Sequence, residues 1–181
     1  MRSVITGVAG VGKTTVLDIV ARESGIPVVN YGTLMFEVAK RRGLVENRDQ
    51  IRKLSRETQV DLQKLAGEEI GKMENAIVDT HMSIKTPFGY LPGLPEWVLR
   101  SINASVFVII EADPAIIKRR RDNDPTRARD DEGVDSIREH QEMNRYFAAA
   151  YSIFSGATVK IVKNEEGKPE QAADEIVRVI K

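Results

Sequence analysis

Cysteine is absent from this 181-residue sequence, and histidine occurs twice. Those absences exclude a disulfide framework and thiol catalysis, and they leave little basis for a structural zinc site. They fit a reducing compartment. Charge of one sign is not in excess either: Lys plus Arg and Asp plus Glu number 27 each. Nothing basic in the balance points to nucleic acid as a partner, so any electropositive site must be local. No apolar run approaches the roughly 20 residues of a membrane span. The opening MRSVIT is too short for the apolar region of a secretion signal. The expected setting is cytoplasmic, without membrane or nucleic-acid partners.

What is present is an ordinary globular composition, 41% apolar, in a length that suits one domain. Short β-rich runs at 3–6, 26–30, 76–80, 104–110 and 158–162 alternate with helical patterns at 14–23, 33–42, 50–72, 115–121, 135–155 and 169–180. The run ASVFVII is apolar without alternation, as in a strand buried on both faces. Such alternation predicts an α/β fold: a parallel sheet, here five-stranded, with helices on both faces and ligands at its carboxyl edge. The stretch TPFGYLPGLPEW, rich in Pro and Gly, reads as a loop.

The first run leads directly into GVAGVGKTT, a full match to the phosphate-binding P-loop pattern. Gly7, Val8, Ala9, Gly10, Val11, Gly12, Lys13, Thr14 and Thr15 form it. Glycines let successive N–H groups converge on an anion, and the following helix adds its positive end. Lys13 is placed to reach the outer phosphates of a nucleotide, and Thr14 to offer a hydroxyl to Mg²⁺. Asp79 ends an apolar strand, where P-loop proteins place the carboxylate that holds Mg²⁺; capping the next turn is its plainer role. Thr80 follows instead of Glu, so the acidic pair of many motor ATPases is missing. The Asn-Lys-x-Asp pattern of switch GTPases is also missing. Both absences weigh against hydrolysis and switching.

Arginine clusters in KRRRDNDPTRAR, with Arg119, Arg120, Arg121, Arg127 and Arg129, followed by Arg138 and Arg145. Planar guanidinium forks suit phosphate oxygens, and a lid carrying them would exclude water and neutralise charge in flight. Asp122, Asp124, Asp130, Asp131 and Glu132 offer the competing reading, a solvated salt-bridged surface.

An early P-loop with an arginine-rich lid after the fourth run resembles the nucleoside monophosphate kinases. GVAGVGKTT, NYGTLMFEVAK, and DTHMSIKTPFGYLPGLPEWVL followed by EADP together resemble the archaeal-type adenylate kinases over nearly the whole chain. The resemblance implies one domain, 1–181, with an acceptor-binding helical insertion near 31–74 and a short lid near 122–133. It implies Mg²⁺-dependent ATP + AMP ⇌ 2 ADP in the cytoplasm, often by a homotrimer. Lys13, Arg127 and Arg129 would then be catalytic, residues 7–15 would bind ATP, and Thr14 and Asp79 would hold the metal. Asn30-Tyr31-Gly32-Thr33 falls where the common enzymes carry their acceptor-binding Thr-Gly stretch, which puts Gly32 and Thr33 in the AMP site. The common pattern then has an arginine where this chain has Phe36. Arg48, Arg52 or Arg56 must supply that grip, with Lys85 assisting; Arg52 and Lys85 complete the expected AMP site. Kinases with CMP or a broad acceptor range, or a P-loop ATPase that drives assembly, are the alternatives. Trp97 reads as a packing residue rather than a stacking platform, and His81 as an active-edge or a turn residue.

Overall fold

All five apolar runs form strands in a computed structural model, which describes residues 1–124 and 133–181. In chain order the elements are β1 (Arg2–Thr6), α1 (Lys13–Ser24), β2 (Val28–Asn30), α2 (Tyr31–Arg41), a 3-10 turn (Arg48–Lys53) and α3 (Arg56–Gly71). Then come β3 (Ala76–Asp79), β4 (Ser83–Thr86), β5 (Gly89–Pro92), α4 (Glu96–Ile102), β6 (Val106–Glu111), α5 (Pro114–Asp122), α6 (Val134–Ser155), β7 (Thr158–Lys163) and α7 (Pro169–Ile180). The main sheet is parallel, in the order β2-β3-β1-β6-β7. The chain leaves β1 toward one edge and later continues from β3 to the other side of β1. A crevice for ligands therefore opens at their carboxyl ends.

Period-two alternation sends neighbouring residues of one strand to opposite layers. Ile5, Val108, Ile110 and Val162 join one core with Val16 and Val20 of α1 and Ala173 and Ile176 of α7. Val4, Val78, Phe107 and Ile109 join the other with Ile70 of α3, Val98 of α4 and Ala148 of α6. Both faces of β6 are thus covered, and all six of its residues are buried. A third, smaller core of Val38, Ala39, Val45, Ile51 and Leu62 lies within the segment from α2 to α3.

Two expectations are corrected. The 50–72 helix is broken by Leu54, which is extended at ψ 154°, and α3 starts afresh with Ser55 accepting from the Thr58 N–H at 3.2 Å. Ser and Thr at such spacing favour a cap over helix interior. The Pro- and Gly-rich stretch is a hairpin and a helix rather than a loop. β4 and β5 pair antiparallel, from Ser83 opposite Pro92 to Thr86 opposite Gly89. Gly89 takes φ 115° at the turn, a conformation that costs glycine little. Pro92 ends an edge strand, where a missing N–H is tolerated.

Candidate active site

The residues of the P-loop sort themselves by burial. Val8 and Val11 are buried in the core beneath it, and these anchors hold the loop on the sheet edge. Gly12 sits at φ 89° as the N-terminal cap of α1, and a Cβ there would come within 2.5 Å of the Asn164 side-chain nitrogen. Two of the loop's carbonyls are tied to side chains outside it. Arg121 Nε donates to Ala9 O at 2.7 Å, while Val11 O accepts from Arg120 Nη1 at 3.1 Å and Asn164 Nδ2 at 2.8 Å. No peptide is cis among the described residues. The N–H groups of Gly10 and Gly12 therefore point opposite to those carbonyls.

Sheet register supplies the next part. Asn30 and Asp79 are direct partners at the carboxyl ends of β2 and β3, and Asp79 also lies opposite Ile5 of β1, just before the P-loop. Asp79 uses both oxygens: Oδ1 pairs with the Lys13 ammonium, and Oδ2 accepts from Asn30 Nδ2 at 2.8 Å. Asn30 Oδ1 in turn accepts from the Thr33 N–H at 2.9 Å and the Thr33 hydroxyl at 3.0 Å, capping α2. One asparagine thus joins the first turn of α2 to the carboxylate that holds Lys13.

A cleft of about 200 Å³ opens beside this group. Lys13, Gly32, Arg48, Gln63, Asp79 and His81 are among its lining residues. A Cβ on Gly32 would meet the end of the Arg48 side chain, so the guanidinium lies against the first turn of α2. His81 has its pKa lowered, first by desolvation and then by the Lys13 charge; Asp79 pulls the other way. A larger hollow of about 410 Å³ lies at the ends of β6 and β7, lined by charges of both signs, but it includes neither Lys13 nor Asp79.

The expected site residues therefore divide. Lys13, Gly32 and Asp79 come together, with Thr33 joined to them through Asn30. Thr14 and Thr15 lie exposed on the first turn of α1. Arg48 lines the cleft, whereas Arg52, on the same 3-10 turn, does not. Lys85 is on β4 and donates to the Ser136 hydroxyl on α6, away from the cleft lining. Arg127 and Arg129 lie outside the described residues. Among the other arginines, Arg119 pairs with Glu166, Arg138 with Asp135, and Arg145 with Glu111, while Arg120 and Arg121 brace the P-loop.

The adenylate kinase of Thermoplasma acidophilum is 78% identical over 180 residues, 99% of this chain and 98% of the relative. The adenylate kinase of Methanocaldococcus jannaschii is 50% identical across 98% of this chain and 97% of its own.

The chain belongs to the adenylate kinase family.

A family model described as an AAA domain also matches residues 6–138, the part that holds the P-loop and the cleft. Among solved structures, shikimate kinase from Bacteroides thetaiotaomicron aligns with a TM-score of 0.62 over 99% of this chain and 97% of its own, at 15% identity. The shikimate kinase of Acinetobacter baumannii gives 0.60 over 99% and 92%, at 14%. At that identity the likeness shows a shared P-loop kinase fold and no more. In this adenylate kinase relative, sequence reasoning did not single out Gln63 and left Arg48 as one of three choices. Neither carries a motif of its own. The Asn30–Asp79 contact was foreshadowed only by an N-cap residue before a helix.

Proposed function

We propose that this chain transfers the γ-phosphoryl group of ATP to AMP, reversibly, to give two ADP. The observation that carries this reading is the cleft in which the P-loop lysine and the first turn of α2 meet. ATP phosphates rest on residues 7–15, where side chains of Arg120, Arg121 and Asn164 hold the Ala9 and Val11 carbonyls. The AMP phosphate lies among Gly32, Thr33 and Arg48, which takes the position left open by Phe36. An AMP oxygen attacks the γ-phosphorus in line, and the bond to the bridging oxygen of ADP breaks. No covalent enzyme intermediate is needed; positioning and charge neutralisation do the work. Lys13 leaves Asp79 to follow the transferring group. Arg127 and Arg129 in the 122–133 lid supply the remaining positive charge, and 31–74 is the acceptor-binding unit.

Thr14 and Asp79 are the residues that would hold Mg²⁺. Both offer hard oxygen donors, which suits an ion that takes few protein ligands and completes its shell with phosphates and water. Among the described residues no group of three or more His, Cys, Asp or Glu side chains offers an all-protein metal cage. When bound, Mg²⁺ would neutralise charge on the phosphates.

The fold match to an AAA domain supports a second reading, ATP hydrolysis without an acceptor. The residue after Asp79 is Thr80, whose N–H donates to Ile5 O, so no second carboxylate stands there to activate water. A coupled assay with ATP alone and with AMP, CMP or UMP separates these readings. Transfer is expected to depend on AMP and to be slower with the pyrimidine monophosphates. Equal turnover with CMP would replace AMP as the acceptor, and turnover with ATP alone would favour the ATPase.

We further propose a cytoplasmic homotrimer, on family resemblance. The solvent face of α6 supports self-association, because Tyr146 and Ile153 are 65% and 89% exposed there, with Phe154 beside them. No helix among the described residues is long and apolar enough to cross a membrane.

A further inference from the structure

Gln63 is fixed at both ends. The Tyr31 hydroxyl donates to its backbone carbonyl at 2.9 Å, and the Trp97 indole Nε1–H donates to its side-chain Oε1 at 3.0 Å. Tyr31 and Gln63 line the acceptor cleft, whereas Trp97 stands behind, on α4 and outside the lining. An indole nitrogen can only donate. Rotating the Gln63 amide by half a turn would set its NH₂ against the indole N–H, two donors facing each other. The cost of leaving such donors unmet is about 1–3 kcal/mol. The amide therefore has one orientation, with oxygen toward Trp97.

We infer that Trp97 is a positioning residue that sets the polarity of Gln63, and that Gln63 reads the six-position edge of the acceptor base. This rests on the AMP-transfer reading and names the side chain that gives it base selectivity. Adenine offers a bare N1, which accepts, beside a 6-amino group, which donates. Hypoxanthine offers the reverse, an N1–H beside a 6-oxo group. An amide held in one orientation matches one of these patterns and meets the other donor to donor. A freely turning amide serves both. A site built around such a bond rejects the wrong pattern because its polar group is left unpaired.

The test compares AMP with IMP as acceptors, for the parent and for Trp97→Phe and Gln63→Met. The parent should favour AMP. Trp97→Phe should lower the ratio of kcat/KM for AMP over IMP at least about tenfold, a change of roughly 1.4 kcal/mol in discrimination. The change should lie mostly in KM, since Trp97 does not touch the reacting phosphates. Gln63→Met keeps the side chain's bulk, removes the amide, and should abolish the preference. Trp97 is the chain's single tryptophan, so an AMP titration read by its emission should respond in the parent and fall silent in Gln63→Met. An unchanged AMP-to-IMP ratio in folded Trp97→Phe would overturn the inference. If that variant fails to fold, an unchanged ratio in Gln63→Met would overturn it equally. A parent that uses IMP as well as AMP overturns it while leaving phosphoryl transfer intact. A parent that consumes ATP with no acceptor overturns the transfer reading itself.

Discussion

Two basic residues four positions apart, Arg48 and Arg52, face different surroundings. Both are exposed, but Arg48 approaches Gly32 closely and lines the cleft with Lys13, whereas Arg52 does not line it. A guanidinium that lines the cleft can reach a phosphate bidentately, and one turned away from it cannot. Arg48→Ala is therefore expected to lower kcat/KM for AMP about a hundredfold, comparable with loss of one preorganised charge donor, while Arg52→Ala stays within a few-fold. Steady-state kinetics with varied AMP decides, and the reverse ranking would remove Arg48 from the site. His81 makes a different prediction. Its folded pKa lies below the unfolded value near 6.5, because desolvation at the cleft wall and the Lys13 charge oppose protonation even though part of the ring meets solvent. As pH falls from that value to the lower folded one, the unfolded chain takes up the proton first, and stability declines. Urea midpoints between about pH 7.5 and 5 should fall more steeply for the parent than for His81→Gln. Parallel slopes would show that His81 is not the group responsible.

At the level of elements, the β4–β5 hairpin shows how a Pro-rich stretch becomes ordered. Buried Asn144 on α6 accepts from the Ser83 N–H at 3.2 Å and the Ser83 hydroxyl at 2.7 Å. Tyr151, one helix face further on, donates to Met82 O at 2.9 Å and accepts from the Leu94 N–H at 3.3 Å. Burial raises the Tyr151 pKa to about 12, so its hydroxyl stays a donor across the working range. Asn144→Ala leaves buried donors on Ser83 without a partner and should cost about 1–3 kcal/mol in chemical denaturation. A loss under about 0.5 kcal/mol would mean that water replaces the amide. The lid offers the other test at this scale. Arg127 and Arg129, the arginines proposed for the lid, stand two apart in the sequence. Replacing either by lysine keeps charge but loses the fork. Single-turnover transfer is expected to slow about tenfold or more, with ATP affinity changing much less. Unchanged rates in both variants would move this role to Arg119, Arg138 or Arg145.

In the whole molecule, the sheet is closed at its amino end as firmly as it is open at the other. Arg2 donates to Ile102 O at 2.5 Å, Gly71 O at 3.1 Å and Met73 O at 2.8 Å, tying β1 to the ends of α3 and α4. The catalytic edge keeps instead exchangeable partners, such as the Lys13–Asp79 pair. α6 leaves Tyr146, Ile153 and Phe154 exposed, and exposed apolar side chains can contribute to association. Light scattering at working concentrations is expected to give a trimer mass. A monomer mass would refute it, and Ile153→Asp should shift a trimer toward monomer if α6 forms the contact.

Local sequence determined a good deal. The P-loop was legible because its chemistry is backbone geometry, fixed by glycines at set spacing between a strand and a helix. The parallel sheet was legible because burial on both faces leaves β6 apolar throughout. The hairpin was not, since Pro and Gly signal a turn without saying what pairs across it. Nor was the place of Arg48 in the cleft lining, which depends on how the 3-10 turn and Gly32 face each other. Asn30 and Asp79 are 49 positions apart and meet only through strand register. Gln63 and Trp97, 34 apart, meet only because α3 and α4 pack together. Sequence by itself determined what the chain can hold, a nucleotide's phosphates. Tertiary structure decided which side chains line the cleft, because that depends on the relative placement of segments whose contacts no local pattern encodes.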